Sequence, residues 1–404
     1  MQTKTKQKQW IYPRHRWARN VLAAVLGPIT KWKYGVRVER FAQQGDRPYL
    51  ILFNHQTAFD QFIVGMAFRG PVYYVASEDL FSNGWVSSVI RYLVAPIPIK
   101  KQTTDIGAVM NCIRVAREGG TIAIAPEGNR TYSGKTVYMN PAIGGLARKL
   151  KLPIALYRIE GGYGVQPRWS DVTRRGKMKA YVSRVIEPEE YENMTAEQLF
   201  DLIQSGLQVD EAVVDGNYKS GRRAEYLERV MYVCPKCGLA QFESHKNKIT
   251  CKTCGLTATY EEDKTFTGEG FPFRFANDWY EYQSKFINAL DVTACTEKPL
   301  YVDSADFSQV FVYKNKKKLL KNVTVSLYGD RVVLGEGTQA ERVFAFSALD
   351  AITVLGRNKL NLYEGKELFQ LKSGKRFNAL KYVQIYHRYK NITRGNPDAE
   401  FLGL

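Results

Sequence analysis

Two hydrophobic rhythms alternate through the first half of the chain. Short apolar blocks at 49–53, 71–76, 121–125, 153–159 and 179–185 read as strands. Between them, apolar residues recur every three or four positions over 57–68, 85–92, 105–118, 140–150 and 196–213, the spacing of amphipathic helices. Two short β-like runs flank the turn Gly45-Asp46-Arg47-Pro48 within 36–53, and Gly119-Gly120 ends the 105–118 helix with a C-cap signal. The prolines of Pro96-Ile97-Pro98-Ile99 place that run at a sheet edge or a strand start. Strands alternating with helices predict an α/β domain, a central sheet flanked by helices.

Beyond Pro299 the rhythm changes to period two. Alternating runs at 309–312, 323–327, 331–334, 341–346, 351–354, 359–362 and 368–371, each broken by turn residues, precede one helix at 377–389. Trp279, Tyr282, Phe286 and Leu290 mark a packing helix before them. The expected order is a basic segment (1–40), the α/β domain (41–215), a charged linker (216–230), a cysteine module (231–260), a connecting helix (261–298) and a mainly β domain (299–395).

Composition alters this picture in one place. The chain carries +18 over 404 residues, and residues 1–40 hold ten Lys and Arg against Glu39 alone, a net +9. Trp10, Trp17, Val21, Val25 and Trp32 interleave those cations. Cations mixed with aromatics and aliphatics suit an amphipathic helix on an anionic membrane surface. The alternative is a helix that packs its apolar face on the α/β domain and solvates its basic one. No apolar run reaches 18 residues, and the run 21–26 is far too short to span a bilayer. With no cleavable leader in view either, the expectation is a cytoplasmic protein, peripheral on the inner face of the membrane.

The candidate chemistry begins where the 49–53 strand delivers Asn54 and His55 to its carboxyl end, the edge at which open α/β sheets place their sites. His55 and Asp60 are five residues apart, about 140° of helical rotation, so they converge only if His55 lies in the loop before the helix. Thr57 would then be the N-cap. A competing reading makes 57–60 a capping box and His55 a turn residue. If the two do converge, His55 is the natural base, with a pKa near neutrality, and Asp60 holds its tautomer. No serine or cysteine is placed as a nucleophile by any motif, so His55 would activate an incoming nucleophile directly, without a covalent enzyme intermediate.

His55-x4-Asp60 is followed some seventy residues later by Pro126-Glu127-Gly128-Asn129-Arg130-Thr131. Together they resemble the 1-acylglycerol-3-phosphate acyltransferase (PlsC-type) family, whose hallmarks are H-x4-D and a Pro-Glu-Gly-Thr-Arg-Ser block. The resemblance covers roughly 41–215. It is extended by Leu152-Pro153-Ile154 and by the run from Ala95 to Lys100 and Lys101, where the family has a small apolar run ending in Arg. It implies the same mechanism, acyl-CoA or acyl carrier protein as donor, and a lysophospholipid acceptor, 1-acyl-sn-glycerol-3-phosphate first, bound by Glu127, Gly128, Asn129, Arg130, Thr131, Lys100 and Lys101. The lysines, Asn129 in place of Thr and Ala125 in place of an aromatic depart from the family pattern. Lysine binds phosphate as a point charge without the two-pronged guanidinium geometry, so another single-chain lipid is the second acceptor to consider.

Cys234-Pro-Lys-Cys237-Gly and Cys251-Lys-Thr-Cys254-Gly are two knuckles separated by thirteen residues. Four thiolates make a closed tetrahedral site, so a structural Zn2+ and a zinc ribbon are expected, with a pair of disulfides as the alternative. His245 reads as exposed, and Cys112 and Cys295 as ordinary thiols. The β pattern after Pro299 resembles the pleckstrin-homology-like fold, and Lys314, Lys316, Lys317, Lys318 and Lys321 read as a basic loop suited to lipid headgroups. A zinc ribbon and a basic arm would also suit a nucleic-acid-binding protein. That reading leaves both central motifs unexplained, so nucleic acid is not the expected partner.

Overall fold

The computed structural model describes residues 9–81, 84–99, 105–136, 138–213, 215–311 and 316–399. Lys100, Lys101, Lys314 and residues 1–8 of the basic segment lie outside them. The chain forms two compact units, one from 1–130, 139–162 and 177–209, the other from 131–138, 163–176 and 210–404.

The first unit opens with α1 (Pro13–Tyr34). Pro13 occupies the first turn, where its missing N–H is no loss. Gly35 closes the helix at φ 60°, its N–H donating to the Lys31 carbonyl. There follow β1 (Val36–Val38), β2 (Leu50–Phe53), α2 (Asp60–Ala67), β3 (Val72–Ser77), α3 (Trp85–Val94), β4 (Ile97–Ile99), α4 (Ile106–Arg117), β5 (Thr121–Ile124), α5 (Ala142–Leu150), β6 (Ile154–Glu160), β7 (Met178–Ile186) and α6 (Ala196–Leu207). The sheet order is β1-β7-β6-β2-β5-β3-β4. All neighbours are parallel except β6 and β7. Leu50 pairs with Ile122 on one side and Ile154 on the other, so β2 is central and buried on both faces. That burial is why its sequence is uniformly apolar.

Leu50, Leu52, Ile122 and Leu156 share a core with Ile143 and Ala147 of α5 and Leu199 and Ile203 of α6. Capping follows the sequence in two helices. The Asp105 carboxylate accepts the Ala108 N–H (3.0 Å), and Thr195 and Gln198 form a capping box on α6. The helix expected over 196–213 ends at Leu207, because the chain turns extended at Gln208. Asp210 then bridges to Lys135 within the second unit.

In the second unit, β8 (Val233–Cys234) and β9 (Gly238–Leu239) form one knuckle. β10 (Phe242–His245), β11 (Lys248–Cys251), β12 (Thr257–Tyr260) and β13 (Phe266–Thr267) make an antiparallel sheet, followed by α7 (Ala276–Ala289). Then β14 (Tyr301–Gln309), β15 (Lys317–Leu327), β16 (Arg331–Leu334), β17 (Arg342–Ala345), β18 (Ala351–Leu355), β19 (Lys359–Glu364) and β20 (Glu367–Ser373) build a mainly β half-barrel. Its order is β17-β16-β15-β14-β20-β19-β18, with α8 (Leu380–Thr393) after it.

Two expectations are corrected here. The first strand of the half-barrel is 301–309, not a short run from 309. Lys317, Lys318 and Lys321 belong to strand β15, not to a loop, and Lys316 donates to Gln370 Oε1 (2.7 Å). Alternation was hidden because the Lys-rich end of β15 lies outside the core while its pairing with β14 carries two register shifts. Bulges of that kind break the period-two pattern that a strand otherwise shows.

Candidate active site

Because β2, β5 and β6 run parallel, their carboxyl ends share one edge. His55 follows β2 and Glu127 follows β5. Asn54 fastens the edge: its amide nitrogen donates to the Ile159 carbonyl (2.8 Å) and its oxygen accepts the Ile159 N–H (2.7 Å), extending the β2–β6 pairing by a side chain.

His55 lies in the loop before α2, as convergence with Asp60 requires. Its Nδ1 is 2.7 Å from Asp60 Oδ2, with Asp60 fully buried and the imidazole 28 % exposed. Asp60 also accepts the backbone N–H groups of Gln56 (2.6 Å) and Thr57 (2.9 Å) and the Thr57 hydroxyl (2.6 Å). One carboxylate thus meets both His55 and the Thr57 hydroxyl, but it closes no capping box on the helix. Thr57 is not the N-cap, since the helix begins at Asp60 with Phe59 before it. Its hydroxyl instead fixes the loop, accepting the Phe59 N–H (3.1 Å). With Nδ1–H directed at Asp60, Nε2 is the basic lone pair.

Glu127 is buried in a turn closed by the Gly128 N–H on the Ala125 carbonyl (3.0 Å), with Gly128 at φ 67°. A side chain at residue 128 would be strained in that conformation. Glu127 Oε1 accepts the His55 N–H (2.9 Å), so the second motif holds the first. Burial pushes its carboxyl up to about 8; the His55 N–H opposes the shift and the Asp60 charge adds to it.

A pH dependence follows. Between 4.5 and about 8 the folded protein holds a proton on Glu127 that the unfolded chain has released, so stability falls as pH rises through that window. We expect the urea midpoint to drop across it and Glu127→Gln to flatten the drop, this carboxyl contributing at most about 1.4 kcal/mol per pH unit. A slope that persists unchanged in Glu127→Gln would assign it to other groups.

The remaining expected acceptor residues are placed as follows. Asn129 and Arg130 are half-buried beyond Gly128. Thr131 belongs to the second unit, where its hydroxyl accepts the Gly134 N–H (3.0 Å) and donates to the Lys135 carbonyl (2.8 Å). Sequence reasoning passed over three neighbours of the pair. Asn54 was visible beside His55. Gln56 is 2 % exposed, and among the described residues neither end of its amide has a hydrogen-bond partner. Gly162 abuts it, since a Cβ there would come within 2.5 Å of Gln56 Cβ. That contact joins residues far apart in the chain, and no local pattern announces it.

The four knuckle cysteines converge in the second unit. Their sulfurs all lie within 4.8 Å of one another, with Cys234–Cys254 and Cys237–Cys251 at 3.6 Å. A tetrahedral Zn–S4 site with bonds of about 2.3 Å has edges near 3.8 Å, whereas a disulfide needs about 2 Å. The set therefore fits a metal. Gly238 (φ 78°) and Gly255 (φ 75°) supply the left-handed turn after each knuckle. His245 is exposed and outside the cluster.

With this geometry in view, the comparisons are specific. Residues 35–159 match the family model described as Acyltransferase, a span that includes His55, Asp60, Glu127 and Arg130. The chain is an acyltransferase enzyme. It is 21 % identical over 178 residues to the 1-acyl-sn-glycerol-3-phosphate acyltransferase of Bacillus subtilis (strain 168), an alignment taking in 44 % of this chain and 86 % of that protein. Among solved structures it is similar to the 1-acyl-sn-glycerophosphate (LPA) acyltransferase PlsC of Thermotoga maritima. That likeness has 20 % identity and a TM-score of 0.41, covering 47 % of this chain and 77 % of the other.

Proposed function

We propose that the chain transfers a fatty acyl group from acyl-CoA or acyl carrier protein to the free hydroxyl of a lysophospholipid, 1-acyl-sn-glycerol-3-phosphate first among them. The observation that carries this reading is the His55–Asp60 pair on the carboxyl edge of the sheet, with Glu127 bonded to the His55 backbone. Nε2 of His55 takes the proton of the acceptor hydroxyl as its oxygen bonds to the thioester carbonyl carbon. Asp60 stabilises the resulting imidazolium. Collapse of the tetrahedral adduct breaks the C–S bond, and the imidazolium returns the proton to the departing thiolate.

Arg130 is the residue suited to the acceptor phosphate. The family departures at Lys100, Lys101 and Asn129 favour testing a lysophosphodiester beside the monoester. Turnover of the purified protein on a panel of lysolipids, before and after Lys100→Arg with Lys101→Arg, tests this. A gain confined to the phosphate monoester supports the assignment. No turnover on any lysolipid refutes it.

Membrane attachment belongs to the same reading. α1 packs His15, Ala18 and Tyr34 inward, yet Trp17 (64 % exposed), Val21, Val25, Ile29 and Trp32 (87 %) line its outer side. Arg14 joins α1 to α3, its guanidinium 3.9 Å from the Tyr12 ring and 4.3 Å from that of Tyr92. Trp85, Val86, Val89 and Tyr92 of α3 are exposed too. An apolar stripe beside Arg16, Lys31 and Lys33 suits an anionic bilayer surface. No helix of the described residues is long and apolar enough to cross a membrane. Trp17→Ser with Trp32→Ser should weaken flotation with acidic liposomes roughly 10- to 100-fold and leave the fold intact, because both side chains are exposed. Unchanged flotation would show that α1 is not the anchor.

A further inference from the structure

A cavity of ≈ 560 Å³ lies at the end of α2 remote from His55, walled by α1, the segment after β1 and the last turn of α2. Arg19, Lys31, Arg40 and Arg69 line it, and no acidic residue does. Among the described residues none of these four cations forms an ion pair. Arg19 is held in place: its Nη2 donates to the Gly65 carbonyl (3.0 Å) and the Phe68 carbonyl at the end of α2, where a cation also complements the helix dipole. Its Nε is buried without a partner. Burial lowers its hold on its proton, and the Arg40 charge adds to this.

The rim is built as firmly. Gln44 accepts the Arg69 N–H (2.6 Å) and donates to the Arg69 carbonyl (3.0 Å). Gly27 of α1 faces Met66 of α2, where a Cβ would meet Met66 Sδ in ordinary contact at 3.4 Å. Ala23, Phe41, Met66 and Phe68 give the cavity an apolar side. A volume in this range is that of ordinary small-molecule sites. Converging cations with no counter-charge are self-repelling unless an anion joins them, and the apolar wall beside them calls for an anion with a hydrocarbon part.

We propose that this cavity binds the phosphate headgroup of an anionic glycerophospholipid from the surface on which the exposed stripe of α1 rests. The phosphate would lie among Arg40, Arg69 and Lys31, with Arg19 adding its charge from the wall, and the glyceryl end of the chains against Met66 and Phe41. Eight residues of α2, about 12 Å, separate it from the His55 site, so the bound lipid is a tether and not the reacting acceptor. The proposal rests on the membrane-surface reading and not on the acyl-transfer chemistry.

Calorimetric titration of the full chain with soluble dihexanoyl phosphatidate, and separately with inorganic phosphate, tests it. The lipid should bind at least about tenfold tighter than phosphate, some 1.4 kcal/mol. Arg40→Gln with Arg69→Gln should weaken lipid binding about 10- to 30-fold, at roughly 1 kcal/mol per cation. The charge-matched pair Arg16→Gln with Arg37→Gln, outside the cavity, should change it little. Equal affinity for phosphate and lipid, equal losses in the two double variants, or no loss in the first would each overturn the assignment.

Discussion

His55→Ala should lose about 10²- to 10⁴-fold in turnover, the range associated with removing a general base, while its thermal unfolding stays close to that of the wild type. The imidazole is partly exposed and, among the described residues, its hydrogen bond is to Asp60, so deletion leaves no cavity in the core. Asp60→Asn should lose activity comparably and stability as well. An amide can accept from the imidazole, or from the Gln56 and Thr57 N–H groups, only through its single oxygen, whereas the carboxylate serves all of them with two. The contrast would separate the proposed roles, His55 touching the acceptor and Asp60 orienting His55 while it builds its loop. Circular dichroism and denaturant midpoints of the two variants, beside their turnover, check it.

The second large effect is on the cysteine module. We propose one Zn2+ per chain held by Cys234, Cys237, Cys251 and Cys254. Chelation, or Cys234→Ser with Cys251→Ser, should lower the melting temperature of the second unit. Structural zinc in isolated fingers is associated with roughly 10–16 kcal/mol of apparent binding free energy. Here the effect should extend beyond the knuckles. Cys234 and Cys251 sit in a core with Trp169, Ile249, Tyr260, Phe266 and Trp279, and the adjoining Tyr232 and Val233 enter the core of the half-barrel. Elemental analysis finding no metal, with disulfides in its place, would contradict this assignment.

The parts of the fold legible in the sequence were those where one local rule suffices. Buried parallel strands such as Leu50–Phe53 show as apolar runs because both faces are covered. α4 was bounded by the carboxylate of Asp105 and by Gly119, and the knuckles by cysteine spacing and glycine. The His55–Asp60 pair was legible because five residues at a strand-to-helix junction admit convergence only from the loop.

What stayed hidden depends on distant residues. Tyr301–Gln309 reads as polar because Asp303, Ser304, Asp306 and Ser308 interrupt it, and only pairing with β15 and β20 makes it a strand. The placing of β7 between β1 and β6, parallel to the first and antiparallel to the second, has no local signature. Nor has the proton held by Glu127, which comes from burial by residues elsewhere in the chain. The core around the cysteines is hidden for the same reason, since Tyr163 and Trp169 reach it from a segment outside 231–260.

The central claim is that His55 drives direct attack of a lipid hydroxyl on an acyl thioester. The most direct measurement is thiol release from acyl-CoA by the purified protein, followed together with phosphatidate formation by mass spectrometry, with and without 1-acyl-sn-glycerol-3-phosphate. The account predicts no thiol before the acceptor is added, then one thiol per phosphatidate, with both signals suppressed together in folded His55→Ala. A stoichiometric burst of thiol without acceptor, or wild-type turnover in His55→Ala, would contradict it.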